Sequence, residues 1–574
     1  MEETRAYIPP TLRSDRGWGF GLNLYALRSR RNWGIGDFTD LRDFVTYAAG
    51  AGADVVGINP LHALHYAEPE AASPYSPSSR YFLNPLYIDV EAVPEFADGG
   101  SHARALRERV NSAPFGAALA ALRDANAVAY GGVARAKYFA LEELFAIFRE
   151  RRGARAEAFA AFVARGGERL ERFALYEALT ERFAHGGVRG WPAWPEAYRR
   201  PQNDAVREFA GTARRRIEYF KYLQWVASEQ LAGVAAAASG MSIGLYLDLA
   251  VGSAADGADV WSAQEAYALD ETIGAPPDPL GPSGQDWGLP VPLPAAMLRD
   301  GAASFADLLA ANMAHAGALR IDHVMALQRL FCIPRGKRPA EGAYAAYPFE
   351  DLLAVATAES ANARCLVVGE DLGTVPEGFR ERLDREGIFS YRLLLFERDD
   401  DGRFKSPDAY PERALATATT HDLPTLPGWC IGRDIETRLR TGSLPPEEAA
   451  ESHAVRRVDV SRLFDALVEH GALDRDGFDA LHRAVDERRP EAAAYAELTR
   501  AAYRYLAASR ARLVLIALDD ATGEFDQVNV PGTFAEYPNW RRKNGLDLGD
   551  IATDPRIAAL AADVRSRVKG GAAR

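Results

Sequence analysis

The chain has 574 residues, 48% hydrophobic and 26% charged, a globular composition with more length than one ordinary core requires. A formal net charge of −13 excludes the basic footprint of a nucleic-acid or anionic-membrane binder and suits a neutral substrate. Cys332, Cys365 and Cys430 form no CxxC pair, Met1-Glu2-Glu3-Thr4-Arg5 opens no apolar signal core, and no apolar run is long enough to span a bilayer, so the expectation is a cytoplasmic protein.

The first strand signal is Gly17-Trp18-Gly19-Phe20-Gly21-Leu22-Asn23-Leu24. A helix follows over 40–49, with Leu41, Phe44, Val45 and Ala48 on one face and Asp40 as N-cap or first-turn acid. Val55-Val56-Gly57-Ile58-Asn59-Pro60 reads as a second strand, ended by Pro60. After it comes a long loop rich in Pro, Ser and Tyr over 72–81, where a substrate wall is expected. Residues 100–215 change to Ala, Arg and Glu at helical spacing, an inserted helical subdomain. Strand signals resume at 243–248 and continue at 318–323, 365–371, 389–396, 416–422 and 513–520, interrupted by a second charged, helical insertion over 434–499. Eight strand candidates alternating with helices predict an α/β fold, a (β/α)8 TIM barrel with inserted, mostly helical subdomains. Its parts are 17–99, 216–433 and 500–560, with 100–215 and 434–499 inserted.

Three of these runs stop on a carboxylate: Asp322, Glu370 and Asp422. Active sites of such barrels lie at the strand C-termini, and converging carboxylates there suit glycosidic-bond chemistry. Arg320 lies two residues before Asp322 on the same strand face and favours its ionised form, which makes Asp322 the better nucleophile. Val367 and Val368 give Glu370 an apolar approach that raises its pKa and makes it the better acid. Asp371 points the other way unless the chain has already turned. His421 and Asp422 could both hold sugar hydroxyls. Trp33, Tyr75, Trp287 and Trp540 sit in Gly/Pro/Asn-rich segments, as stacking platforms for sugar rings or as capped core edges. The competing chemistry is a metal site, for which His62, His65, His323 and His421 are the candidates, without an HExxH or a His-x-His pair. No GxGxxG or P-loop pattern is complete.

The motifs resemble those of the amylomaltases, the bacterial 4-alpha-glucanotransferases related to plant disproportionating enzymes. The resemblance runs through Arg31-Asn32-Trp33-Gly34-Ile35-Gly36-Asp37-Phe38, Ala72-Ser73-Pro74-Tyr75-Ser76-Pro77-Ser78-Ser79-Arg80 and Gly284-Gln285-Asp286-Trp287-Gly288-Leu289-Pro290. It continues in Arg320-Ile321-Asp322-His323, Gly369-Glu370-Asp371-Leu372-Gly373-Thr374, Thr420-His421-Asp422-Leu423-Pro424-Thr425 and Asn529-Val530-Pro531-Gly532-Thr533. It implies Asp322 as nucleophile, Glu370 as general acid/base and Asp422 as transition-state stabiliser. It also implies Arg320, His421 and Asp248 at the cleavage point, Ser73, Tyr75, Gln285 and Trp287 along the donor and acceptor sites, and Asp371 as a further contact. It implies no cofactor and no metal, with alpha-1,4-glucans such as maltooligosaccharides as partners. The barrel motif starts near Gly17, so the β-sandwich module that precedes the barrel in many bacterial relatives is not expected. The Gly/Ala/Pro-rich segment 250–282 stands where the family carries a mobile cover. The expected activity is retaining transfer of an alpha-1,4-glucan segment. A retaining alpha-glucan hydrolase and an inactive glucan-binding barrel are the alternatives.

Overall fold

A computed structural model describes residues 5–277, 283–487, 492–533 and 535–570. Eight strands close into a parallel barrel: β1 (Gly17–Leu22), β2 (Val55–Ile58), β3 (Gly244–Leu249), β4 (Ala318–Ile321), β5 (Leu366–Gly369), β6 (Phe389–Leu393), β7 (Ala414–Thr417) and β8 (Leu513–Ala517). Each strand pairs with the next, and β8 closes on β1 with Gly17 opposite Leu513. Nearly every residue of these strands is buried, because both faces are covered.

Alternation along the strands builds two cores. Val55, Tyr246, Ala318, Leu366, Val368, Phe389, Tyr391, Leu415, Leu513 and Leu515 point inward and pack as one cluster, which Leu12 closes at the N-terminal end. Trp18, Phe20, Val56, Leu245, Leu319, Val367, Val514 and Ile516 point outward, against the helices. Two inward positions are glycine for want of room. A Cβ on Gly57 would lie 2.8 Å from the Tyr246 ring, and one on Gly21 2.8 Å from Leu515.

The helix expected at 40–49 runs Phe38–Gly50 and buries Leu41, Phe44, Val45 and Ala48. Its N-cap is Asp37, which accepts from the backbone amides of Thr39 and Asp40. Asp40, at the third helical position, accepts from the Asp37 amide in return. A cap of this kind contributes about 1 kcal/mol. From 101 to 212 the chain forms helices Ser101–Val110, Ala113–Asp124, Tyr130–Arg149, Ala154–His185 and Asp204–Thr212. They share the core of the barrel: Phe82 stacks on Phe173 at 4.2 Å and Tyr66 on Tyr138 at 3.9 Å. Helices Pro446–Glu469, Arg475–Asp486 and Ala492–Ala508 fill the later charged stretch.

Some boundaries differ from the sequence reading. β7 begins at Ala414 and ends at Thr417, so Asp422 lies on a loop five residues beyond the strand. β8 ends at Ala517 and the chain enters a short helix, Leu518–Thr522, whose first turn carries Asp519 and Asp520, where acids are favoured. The segment 250–282 is not a plain loop. It contains helix Ala258–Ser262 and strand Tyr267–Ala275, while residues 278–282 lie outside the described residues. Trp287 also lies on a strand, Gln285–Pro292. With Arg329–Pro334 and Ala343–Ala346 these strands form an antiparallel sheet beside the barrel mouth. Its first two strands are half-exposed and carry Gly, Asp and Pro, so cross-strand pairing, not local propensity, makes them a sheet.

Candidate active site

The C-terminal ends of the barrel strands bring together the charged residues named from sequence. Asp248 and Arg320 sit opposite each other on β3 and β4, both inward and more than nine-tenths buried. Arg320 Nη1 donates to both Asp248 oxygens at 2.8 and 2.9 Å, and Nη2 lies 2.9 Å from Asp322 Oδ1. One planar fork therefore fixes two carboxylates at once, which a lysine could not do. Burial pushes the Asp248 carboxyl up against the pull of Arg320. Burial pushes the guanidinium down, but the two carboxylates outweigh it and hold Arg320 well above its usual range.

Tyr75 continues the network. Its hydroxyl donates to Asp248 Oδ2 at 2.5 Å, and its ring stacks on His421 at 4.5 Å. His421 Nδ1 is 3.3 Å from the same hydroxyl, and Nε2 is 3.2 Å from Asp422 Oδ2. The phenol has one proton, and it goes to Asp248. Toward His421 it offers a lone pair, so Nδ1 must carry hydrogen; Nε2, facing a carboxylate, must carry one too. The geometry thus calls for an imidazolium. The opposing shifts agree: burial lowers the His421 pKa, and Asp422 more than reverses it. Burial raises that of Asp422, and His421 with Asn529 brings it below the usual carboxylate value. Asn529 Nδ2 donates to Asp422 Oδ1 at 2.7 Å, and the Asn529 amide donates to the His421 carbonyl at 3.1 Å. The Asp422 side chain is itself 47% exposed.

Glu370 follows β5 and is 8% exposed. Its Oε2 accepts from the His323 amide and its Oε1 from the Leu372 amide, both at 2.8 Å. His323 reaches it by adopting a left-handed backbone, φ 46° and ψ 60°, which costs a non-glycine residue about 1–2 kcal/mol. Burial raises the Glu370 pKa; Arg320 opposes this, Asp322 adds to it, and the result is about 7. The His323 ring is pushed down to about 4 by burial, so it is neutral; it meets Trp287 edge-on at 5.1 Å. Trp287 Nε1 donates to Gln285 Oε1 at 3.0 Å, which ties both residues of the flanking sheet to this side of the mouth.

Other sequence candidates lie elsewhere. Ser73 is half-buried at the turn before Tyr75, whose amide it accepts at 3.4 Å. Asp371 is 1% exposed and faces away from the cleft, accepting from Arg380 Nε at 2.8 Å, Ser390 Oγ at 2.5 Å and the Tyr391 amide at 3.0 Å. It ties β5 to β6. Trp33 is a core residue that donates to Glu91 at 2.9 Å. Trp540 is 3% exposed and packs against Tyr75 and His421 from behind. His62 is buried, accepts from the Ala250 amide at 3.2 Å and is pushed down to about 3 by burial. Among the described residues no three His, Cys, Asp or Glu side chains converge as metal ligands.

The sequence reading gave no role to Asn529, Tyr246 or Tyr391. Asn529 was inside a quoted motif, but only the fold brings it to Asp422, 107 residues earlier. Tyr246 and Tyr391 alternate with outward residues on β3 and β6 and line the cavity at the barrel mouth, together with Gly21, Gly57, Asp248 and Arg320. Replacing Arg320 by Met leaves Asp248 buried without its counter-charge. The expected cost is about 3–5 kcal/mol near neutral pH, read as a lower thermal midpoint. In that variant Asp248 binds a proton more tightly folded than unfolded, so the loss shrinks as pH falls toward about 5. A midpoint equal to wild type at both pH values would contradict this.

A family model described as 4-alpha-glucanotransferase matches residues 22–547. A 4-alpha-glucanotransferase of Haemophilus influenzae is 39% identical over 563 residues, covering 96% of this chain and 79% of that protein. One from Mycobacterium tuberculosis is 37% identical over 584 residues, covering 97% and 76%. The crystal structure of amylomaltase from Corynebacterium glutamicum superposes with a TM-score of 0.84 at 31% identity, over 98% of this chain and 77% of that one. An amylomaltase from Streptococcus agalactiae, in complex with acarbose, shares the fold at a TM-score of 0.71 and 18% identity, over 96% and 99%. The chain belongs to the 4-alpha-glucanotransferase family.

Proposed function

We propose that Asp322, Glu370 and Asp422 carry out a retaining, two-step transfer of an alpha-1,4-glucan segment. The observation that carries this reading is that two carboxyl groups which share Arg320 as a neighbouring charge stand in opposite environments. Asp322 is paired with the Arg320 guanidinium, and Glu370 is buried and raised to about 7. Glu370 protonates the glycosidic oxygen while Asp322 attacks the anomeric carbon, and the reducing-side fragment leaves. The bond from the anomeric carbon to the leaving oxygen breaks as the bond to Asp322 forms. The 4-hydroxyl of an acceptor glucan then attacks, Glu370 takes its proton, and Asp322 is released. Asp422, held by Asn529 and the His421 imidazolium, faces the cleft as the group that stabilises positive charge on the sugar ring. Asp248 and Arg320 hold the sugar at the cleavage point. Trp287 and Gln285 line the acceptor side, where a sugar in place excludes water and favours transfer over hydrolysis.

The substrates are alpha-1,4-glucans such as maltooligosaccharides. No helix among the described residues is long and apolar enough to cross a membrane. Cys332, Cys365 and Cys430 are buried free thiols, which suits a reducing cytoplasm.

Incubation of the protein with maltotriose tests the reading. The expected products are glucose and a ladder of longer maltodextrins at constant total reducing ends. Rising reducing ends with only shorter products would mean a hydrolase. The pH profile is a separate check. Glu370 must be protonated in the free enzyme to start the reaction, so kcat/KM for the donor is expected to hold below a pH of about 7 and to fall about tenfold per pH unit above it. A profile flat to pH of about 9 would remove Glu370 as the acid.

A further inference from the structure

Two phenol hydroxyls on the wall of the barrel-mouth cavity have no recorded hydrogen-bond partner among the described residues. Tyr246 on β3 is 5% exposed, and none of the described residues hydrogen-bonds its hydroxyl. Tyr391 on β6 is 8% exposed; its ring lies 5.6 Å from the Arg320 guanidinium, and none of the described residues hydrogen-bonds its hydroxyl either. Both line the same cavity as Asp248, Arg320 and His421. A buried hydroxyl is ordinarily hydrogen-bonded, and that of Tyr246 is an exception; Tyr391 lines the same cavity and has no recorded partner for its hydroxyl among the described residues. Packing alone does not ask for the hydroxyl: Phe389 and Leu393, the inward neighbours of Tyr391 on its own strand, are fully apolar. Tyr25 and Tyr410 also carry unpartnered hydroxyls, but neither lines this cavity.

The position of Tyr391 is fixed from behind. Its backbone amide donates to Asp371 Oδ1 at 3.0 Å, and Ser390 Oγ donates to Oδ2 of the same carboxylate. Its ring beside the Arg320 guanidinium and its place in the wall shared with Asp248 and His421 put it at the inner end of the cavity. We propose that the Tyr391 hydroxyl binds a hydroxyl group of the glucosyl residue at the cleavage point, with Tyr246 packed behind it as the floor of that subsite. The assignment rests on the glucan reading above. It also gives Asp371 a place in the site without a sugar contact: Asp371 positions Tyr391.

The test is Tyr391→Phe in the full chain, measured beside wild type and Glu370→Gln. Because its hydroxyl bonds none of the described residues, the thermal midpoint without glucan is expected to stay at the wild-type value. Loss of one neutral hydrogen bond to substrate is expected to lower kcat/KM about three- to tenfold. The contact is at the cleavage point, so the fall is expected to be the same with maltotriose and maltoheptaose. Any of three results overturns the proposal. The first is a kcat/KM within twofold of wild type. The second is a loss with one glucan length only, which would place the contact at an outer subsite. The third is a loss accompanied by a midpoint several degrees lower, which would make the hydroxyl a structural brace. Near-normal turnover by Glu370→Gln would instead overturn the mechanistic reading, whatever Tyr391→Phe does.

Discussion

The buried fork of Arg320 is the interaction on which the site depends. It joins β3 to β4 at the barrel mouth by holding Asp248 with one nitrogen and Asp322 with the other. Three charged groups in so little water would be costly singly; as a hydrogen-bonded set their charges compensate. From Asp248 the network runs through Tyr75 and His421 to Asp422, so residues from four separate strand ends and loops are set by one chain of hydrogen bonds. The barrel supplies the scaffold. Parallel strands place every C-terminus at one end, and the inward glycines at 21 and 57 leave space for Tyr246 and Leu515 below the mouth.

The same cluster assigns different protonation states to chemically similar groups. Asp422 has an imidazolium and an amide donor beside it, and it is held low. Glu370 has two backbone amides and the more distant pull of Arg320, and burial prevails. One acid neutral up to about pH 7 and one kept ionised are what acetal chemistry requires near neutrality. The backbone contributes directly. His323 takes a left-handed conformation one residue after Asp322, and that turn aims its amide at Glu370. β4 and β5 are thereby locked in register, since the Glu370 amide in turn donates to the Ile321 carbonyl.

What could be read from the sequence followed the range of its periodicities. All eight barrel strands are visible as apolar runs because both their faces are buried, and the spacing of Arg320 and Asp322 put them on one face, as they are. Alternation alone set Asp371 opposite to Glu370, and the structure turns its carboxylate toward β6; it was the family resemblance that made it a substrate contact. Asp422 read as a strand end, but Thr420 and its neighbours form a turn, with the Asp422 amide donating to Thr420 Oγ1, and no local pattern signals that. The sheet that carries Trp287 was invisible for a different reason: its strands are half-exposed and interrupted by Gly and Pro, so cross-strand pairing and not local propensity makes them strands. Asn529 needed the closed barrel to meet Asp422. Long, two-sided burial is legible in a sequence; contacts made by closure are not.

The central claim is that Asp322 becomes bonded to sugar. It is tested most directly with Glu370→Gln and alpha-maltotriosyl fluoride, a donor whose leaving group needs no acid. The first step then proceeds, while the missing base delays the second. Mass spectrometry of the digested protein is predicted to show one maltotriosyl unit on the peptide containing Asp322, and none when Asp322 is replaced by Asn. An adduct on any other peptide, or turnover of the fluoride with no adduct at all, would contradict the account.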